Sequence, residues 1–486
     1  MNRRLLLGLV ALLPLTASAR PKPPPPPPPV VEAAPVPVDP LATMPTVGPV
    51  VSFSPPTPEV RELSNHVPVW VIPSATLPIF TLVLTVPGGS QLDAAGHEGT
   101  AALAMEAMRR GAGDRTGPEF AAEVERRGLT INGAATEDGS YLTLSGPVSQ
   151  LEPGLDLLAD LVLRPKLTPK EIRKARDLLL AGLQQSFSEP TYVAARTAQA
   201  LYWGTGHPYG RPSDGTEAGL KASKPADVKR WVKSTFVAGG AGFTVAGAVD
   251  ANSVITALNA RFGAWTGTAP TEPVIAAAPV HDHEPIFLVD VPDSAQTAFY
   301  VAFPGPRIGD PVEAPTRVGT IALGGTFTSR LNALLREKRG YTYGVKAGLS
   351  QRFSAGNLVV RTRIRTDVTA PALTDLLGEL KGIQTGISAE ELGKAQGAAR
   401  QDVVEELESQ GGVAGTYAEE LSYNRSPDTI AADLRAIGAV QLGDVTGPLA
   451  AWNPDHAVFV LVGDQKVIEP KLREAGYTNL KVVSPL

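Results

Sequence analysis

The 486-residue chain contains no cysteine. That absence excludes disulfides, thiolate metal ligands, a thiol nucleophile and a lipidated N-terminal cysteine. No long basic run accompanies the net charge of −5, which argues against nucleic acid as a partner. Beyond the first residues, no stretch is long and apolar enough to span a bilayer, so no transmembrane segment is expected. No serine stands in a G-x-S-x-G elbow beside a suitable His and acid, so a serine hydrolase has no support. The stretch GHEGTAALAMEAM (Gly96 to Met108) has one His and two Glu at the head of an apolar helix. They do not stand in the H-x-x-E-H order that would place two His on one helical face around zinc.

The amino terminus, MNRRLLLGLVALLPLTASA, has Arg3 and Arg4, an apolar run from Leu5 to Leu15, and the A-x-A signal Ala17-Ser18-Ala19. This predicts a cleaved signal peptide over residues 1–19 and a periplasmic or secreted protein. Residues 20–58, beginning RPKPPPPPPPVV, predict a stiff polyproline II spacer. A plain tether is the simpler reading of that run than a ligand for a partner domain. From about Glu59 the composition becomes globular, and the length predicts two large domains.

The globular part repeats itself in order. WVIPSATLPIFTLVLTVPGG (from Trp70) is answered by FLVDVPDSAQTAFYVAFPGP (from Phe287). Thr168-Pro169-Lys170-Glu171 and Ser388-Ala389-Glu390-Glu391 each form a capping box before a long helix. FTVAGAVDANSVITAL (from Phe243) is answered by FVLVGDQKVIEPKL (from Phe459), a closing strand and helix. The offsets all lie near 216 to 220 residues, and three collinear matches indicate a duplication. Each half reads as α+β, with helices packed on an antiparallel sheet. The expected boundaries are 59–265 for the first domain, 266–285 for a Pro- and Ala-rich linker, and 286–486 for the second domain.

Two further stretches bear on chemistry. Gly99-Thr100-Ala101-Ala102 opens the apolar helix of the first half, and Gly324-Gly325-Thr326-Phe327-Thr328-Ser329-Arg330-Leu331 leads into LLREKRGYTYGV in the second. With these, nearly all of the chain after the spacer resembles the insulinase/pitrilysin (M16) peptidase family. The resemblance implies two homologous domains forming a clamshell around a peptide chamber. The family's zinc motif usually reads G-x-A-H-x-x-E-H, so here Ala102 stands for the first His, Met105 for the catalytic Glu and Glu106 for the second His. The third ligand, a Glu on the following long helix, falls on Gly182. The resemblance therefore implies a zinc site without its ligands, and no metal in this chain.

The second-half motif G-G-x-x-S-S-R-L followed by L-R-E-K-x-G-x-x-Y is kept. In active relatives its Arg and Tyr contact the peptide held at zinc, and these carry over to Arg336 and Tyr343. A guanidinium and a phenol suit a substrate carbonyl and its developing oxyanion. Without the family pattern, the same residues read as a helix-end Arg paired with a local acid and a half-buried strand Tyr. Tyr341, on the same predicted strand face, competes with Tyr343. His207 lies in a loop, WGTGHPYGRPSDG, that reads as structural. The run His281-Asp282-His283-Glu284 reads as a solvated turn rather than a metal site, and His66 and His456 have no ligand set.

The resemblance ranks three readings. The first is the zinc-free subunit of a heterodimeric metallopeptidase, supplying Arg336 and Tyr343 to a homologous chain with an intact H-x-x-E-H and its zinc, to cut peptides. The second is an inactive scaffold or peptide-binding protein of the cell envelope. The third, a self-sufficient protease of another mechanism, has the least support.

Overall fold

A computed structural model describes residues 52–485. The predicted signal peptide and most of the spacer lie outside the described residues. Residues from Phe53 onward form one compact unit. Its first half contains strands β1 (Glu59–Glu62), β2 (Pro68–Pro73), β3 (Ile79–Pro87), a short β4 (Gly111–Ala112) and β5 (Arg115–Thr116) hairpin, β6 (Thr130–Ala135), β7 (Gly139–Pro147) and β8 (Gly242–Gly247). The helices of this half are α1 (Thr100–Met108), α2 (Gly117–Arg126), α3 (Leu151–Leu163), α4 (Pro169–Ser186), α5 (Pro190–Trp203), α6 (Glu217–Ala222), α7 (Pro225–Thr235) and α8 (Ala251–Phe262). The second half has β9 (Ile286–Asp290), β10 (Gln296–Gly305), β11 (Val345–Gln351), β12 (Gly356–Arg365), β13 (Val458–Gly463) and β14 (Leu480–Val482). Its helices are α9 (Glu313–Thr320), α10 (Thr369–Ile383), α11 (Ala389–Glu406), α12 (Gln410–Ser422), α13 (Thr429–Ala439), α14 (Leu442–Leu449) and α15 (Gln465–Glu474).

Each half builds a six-stranded sheet, in the orders β1-β2-β8-β3-β7-β6 and β11-β12-β10-β13-β9-β14. Five strands correspond one to one, with β2, β8, β3, β7 and β6 matching β9, β13, β10, β12 and β11. The sixth differs: β1 precedes the first sheet's core strands, whereas β14 is the chain's last strand. The sheets are mixed rather than purely antiparallel, because the closing strand returns parallel to the opening one, β8 on β2 and β13 on β9. The wide separation of these strands in sequence permits that crossover. The two long helices after the capping boxes, α4 and α11, are each 18 residues. Ser388 and Glu391 form the reciprocal box; at Thr168 only the hydroxyl half forms, accepting from the Glu171 backbone N–H.

The period-2 alternation of the central strands explains how the halves join. Along β3, Phe80, Leu82, Leu84 and Val86 enter the first half's own helical core, while Val83 faces the other way. Along β10, Phe299, Val301 and Phe303 enter the second half's core, while Ala298 and Ala302 face the other way. Each outward face is covered by a helix from the opposite half. Val413, Ala414, Tyr417 and Ala418 of α12 pack on Trp70, Ile72, Val83 and Ala246 of the first sheet. Val193, Ala194, Ala198 and Tyr202 of α5 pack on Phe287, Val289, Val458 and Val460 of the second. The halves are interlocked by this exchange.

Candidate functional site

Helix α1 carries the degenerate zinc positions. It begins after Gly99, which adopts a left-handed φ of 103°, and the buried Asp93 carboxylate accepts from the Gly99 and Ala101 backbone N–H groups at 2.7 and 2.9 Å. His97 and Glu98 lie before the helix. Seven of its nine residues are buried, which leaves only Ala102 and Glu106, one turn apart, partly exposed. These are the two positions where the resemblance would put histidines. Ala102 offers no donor atom. The Glu106 carboxylate is claimed by Arg109 and, at 2.8 Å, by Arg110, so it is neutralised locally. Met105 is buried, and its terminal methyl lies against Gly133 of β6, where an added Cβ would come within 3.0 Å of it. Gly182 is exposed on α4, a helix packed on α1, with nothing near its Cβ direction. Among the described residues no three His, Cys, Asp or Glu side chains group as metal ligands would.

The second-half motif folds differently from the helix-then-strand expected of it. Residues Asn332–Lys338 wind as a π-helix, a rare form that favours functional positions. The buried Asn332 side chain ties this turn down: its Nδ2 donates to the Thr326 and Val345 carbonyls, and its Oδ1 accepts from the Val345 N–H. Gly340 ends the winding at φ 65°. Strand β11 starts only at Val345, so Tyr341 and Tyr343 precede it instead of sharing its face. The reason lies in residues 341–344, which are held as a turn by the Thr342 hydroxyl, paired with Thr362 and accepting from the Gly344 N–H.

This turn separates the two tyrosines. Tyr341 is half-buried against the second core, whereas Tyr343 is 91% exposed. Arg336 lies 3.3 Å from the centroid of the exposed Phe327 ring, with Glu337 at 3.5 Å. Its Nη1 is buried and makes no hydrogen bond. Arg336 thus stands in the π-helical winding with a nitrogen unbonded, and Tyr343 stands as an exposed phenol on the turn that follows it; the ring and ion-pair partners of Arg336 all belong to its own half. Arg330 is engaged elsewhere. It grips Glu391 with two hydrogen bonds of 2.5 and 2.9 Å and donates to the Gly386 carbonyl. The guanidinium beside Glu391 holds that carboxyl down at about 2.

Residues 69–208 match the family described as Insulinase (Peptidase family M16), and residues 224–398 match the Peptidase M16 inactive domain. Together these cover well over half of the chain. The chain belongs to the M16 peptidase family. It is 24% identical over 391 residues to an uncharacterized zinc protease of Mycobacterium tuberculosis, covering 79% of this chain and 89% of that protein. It is 24% identical over 338 residues to the non-peptidase homolog YmxG of Helicobacter pylori, covering 68% and 76%. Its fold is that of the crystal structure of a peptidase M16 inactive domain from Pseudomonas fluorescens. There the TM-score is 0.76 at 22% identity, over 84% of this chain and 98% of that one.

The remaining sequence candidates of this M16 chain fall outside any reactive cluster. The His207 loop is structural: its ring stacks on Trp203, Nδ1 accepts from the Tyr209 N–H, and Nε2 pairs with the Ala276 carbonyl. Next to it the halves are clamped. Tyr209 donates its hydroxyl to Asp138 at 2.7 Å, the Phe353 N–H donates to the other Asp138 oxygen, and Arg352 pairs with Glu137. The reading of residues 281–284 as a solvated turn needs correction for His281. It is 7% exposed, with Nε2 at 2.8 Å from the Tyr202 carbonyl, because the segment runs beneath the end of α5. His283 is exposed as expected. What the sequence reading missed is a cleft between the first sheet and α12, whose signal was the unusually small run QGGVAG at Gln410 to Gly415.

Proposed function

We propose that this chain is the zinc-free member of a paired M16 peptidase acting outside the cytoplasm. It would form half of a peptide chamber and present Arg336 and Tyr343 to a homologous chain that carries H-x-x-E-H and its zinc. The observation that carries this reading is the presentation of Tyr343, 91% exposed on a turn pinned by Asn332 and Thr342. Exposing a tyrosine this fully contributes little to stability, so a pinned, protruding phenol suits contact with something beyond the chain. Arg336, seven positions earlier and partly exposed, adds a cation to the same segment. The donor-poor α1 explains why the chemistry would be supplied in trans.

The test is reconstitution with the zinc-bearing M16 chain. Arg336→Ala or Tyr343→Phe should lower peptide turnover by roughly 10- to 1000-fold, as for loss of one oxyanion donor. The loss should fall on kcat if the contact forms chiefly in the transition state. Unchanged turnover in both variants would favour the second reading, an envelope scaffold, to which the resemblance to a non-peptidase homolog lends weight.

A further inference from the structure

The duplication extends through the exchanged helices in a fixed register. Val193 and Ala194 of α5 answer Val413 and Ala414 of α12, each 220 residues on. In that register Gln199 answers Glu419, and Tyr202 answers Ser422. The two differences have physical consequences. On α5, Gln199 donates to the Tyr209 carbonyl at 2.8 Å, and the Tyr202 ring is 1% exposed inside the inter-half core. On α12, the Ser422 position has lost the ring, and Gly411, Gly415 and Ala418 continue the small face. A cavity of about 490 Å³ results, between α12 and strands β3 and β7 of the first sheet. That volume is within the range of small-molecule sites.

The chemistry of the walls is one-sided. Tyr141, Phe353 and Tyr423 supply aromatic surface, with Phe353 and Tyr423 stacked 6.2 Å apart at 6°. Asp138, Glu272 and Glu419 supply carboxylates, and among the described residues no Lys, Arg or His lines the cavity. Among the described residues the Glu419 and Glu272 carboxylates have no hydrogen-bond or ion-pair partner, unlike Gln199 at the repeat-equivalent site. Glu419 and Glu272 remain exposed residues, yet partial desolvation raises their carboxyls and that of Asp138 from the ordinary range, opposed at Glu419 by Arg425 and at Asp138 by the Phe353 and Tyr209 hydrogen bonds and by Arg352. Gln91 at the floor is 5% exposed; its Nε2 donates to the Asp138 carbonyl, while its Oε1 accepts nothing among the described residues. That oxygen is left to accept from whatever occupies the cleft.

We propose that this cleft binds a small organic cation, a primary ammonium or guanidinium carried on an apolar or aromatic body. The carboxylates of Glu419 and Glu272 supply the counter-charge, Gln91 Oε1 accepts an N–H, and the aromatic faces hold the cation by its charge and the body by its surface. The site lies on residues that the paired-peptidase reading does not use, so either can fail without the other. Its ligand chemistry could come from a free amine or from a Lys or Arg side chain of a peptide.

Calorimetric titration of the isolated chain with phenethylamine and agmatine tests it. Dissociation constants below about 1 mM are expected, with the neutral phenethyl alcohol at least about tenfold weaker. Glu419→Gln and Ser422→Tyr, which restores the bulk of the sister helix, should each weaken binding by at least about tenfold. If Ser422→Tyr fails to fold, the near-isosteric Glu419→Gln carries the test. A blocked lysine peptide that binds as tightly as the free amines identifies a side chain as the source; one that does not identifies a free amine. Absence of binding up to about 10 mM of either amine, or binding unchanged by Glu419→Gln, overturns the proposal.

Discussion

Within one motif of the second half, two arginines six positions apart do different work. Arg330 closes a bidentate pair with Glu391 at the head of α11, so its removal strands a carboxylate and loosens the helix cap. Arg330→Ala should cost about 1–3 kcal/mol of stability, the scale of charge-assisted hydrogen bonds. Arg336→Ala should cost less than about 1 kcal/mol, since a partly exposed cation–π contact is worth no more. Urea midpoints of the two variants compare them directly, and equal losses would mean that Arg336 is structural too. On α1 the expectation concerns metal: dialysed protein should hold far less than one zinc per chain by elemental analysis. Ala102→His alone should not change this, because one imidazole beside an arginine-paired Glu106 is a small part of a tetrahedral ligand set. The sequence made these positions legible because motif spacing maps directly onto helix faces. It could not separate Tyr341 from Tyr343, because the turn between them depends on Asn332 and Thr362, the latter far along the chain.

The duplicated strands and long helices were readable from their apolar runs and caps, since both signals are local. The parallel strand in each sheet and the exchange of α5 and α12 were not, because nothing in a helix's own sequence says which sheet it covers. One consequence of the exchange is a crowded acidic corner at α12. Burial pushes Glu420 up to about 7, with Asp433, Glu419 and Glu313 adding to the push and Arg425 opposing it. Arg425 lies 3.2 Å from Glu420 and 3.1 Å from Asp433, and one guanidinium shared between two acids does not offset the loss of water. The folded state thus holds this proton more tightly than the unfolded chain, where Glu titrates near 4.3. Its contribution to stability is complete below the unfolded value and is lost as pH rises toward 7. Asp93, also pushed up to about 7 mainly by burial, acts with the same sign. Stability should therefore fall between about pH 4 and 7, by up to about 1.4 kcal/mol per pH unit for each proton released. Glu420→Gln should flatten the slope of urea midpoint against pH; a slope identical to the wild type would show that Glu420 is ionised throughout.

At the scale of the molecule, the joint between the halves is built from exchange rather than from surface contact. Among the described residues, two buried apolar clusters contain residues of both halves. The hairpin tip carrying Glu137 and Asp138 also clamps the tip carrying Arg352 and Phe353 through an ion pair and a hydrogen bond from the Phe353 N–H to the Asp138 carboxylate. By contrast, the connecting segment is thinly held: Val274 and Val280 are 99% and 91% exposed. Between Pro273 and Val280 it is tied down by the Ala276 carbonyl, paired with the His207 ring, and by Ile275 and Ala278 against the inter-half core. Covalent continuity there should matter little once the chain has folded, because separating the halves would bare the apolar faces of α5 and α12 together with the sheet surfaces beneath them. A protease site inserted between residues 273 and 275 and cut after folding should leave both fragments in one peak on size exclusion. Unfolding should remain a single transition, with a midpoint lowered because the cut chain loses the advantage of intramolecular association. Fragments that part under native conditions, or two transitions already present in the uncut chain, would show that each sheet folds without its borrowed helix. The exchange would then be a late docking event rather than the bond that makes the halves one body.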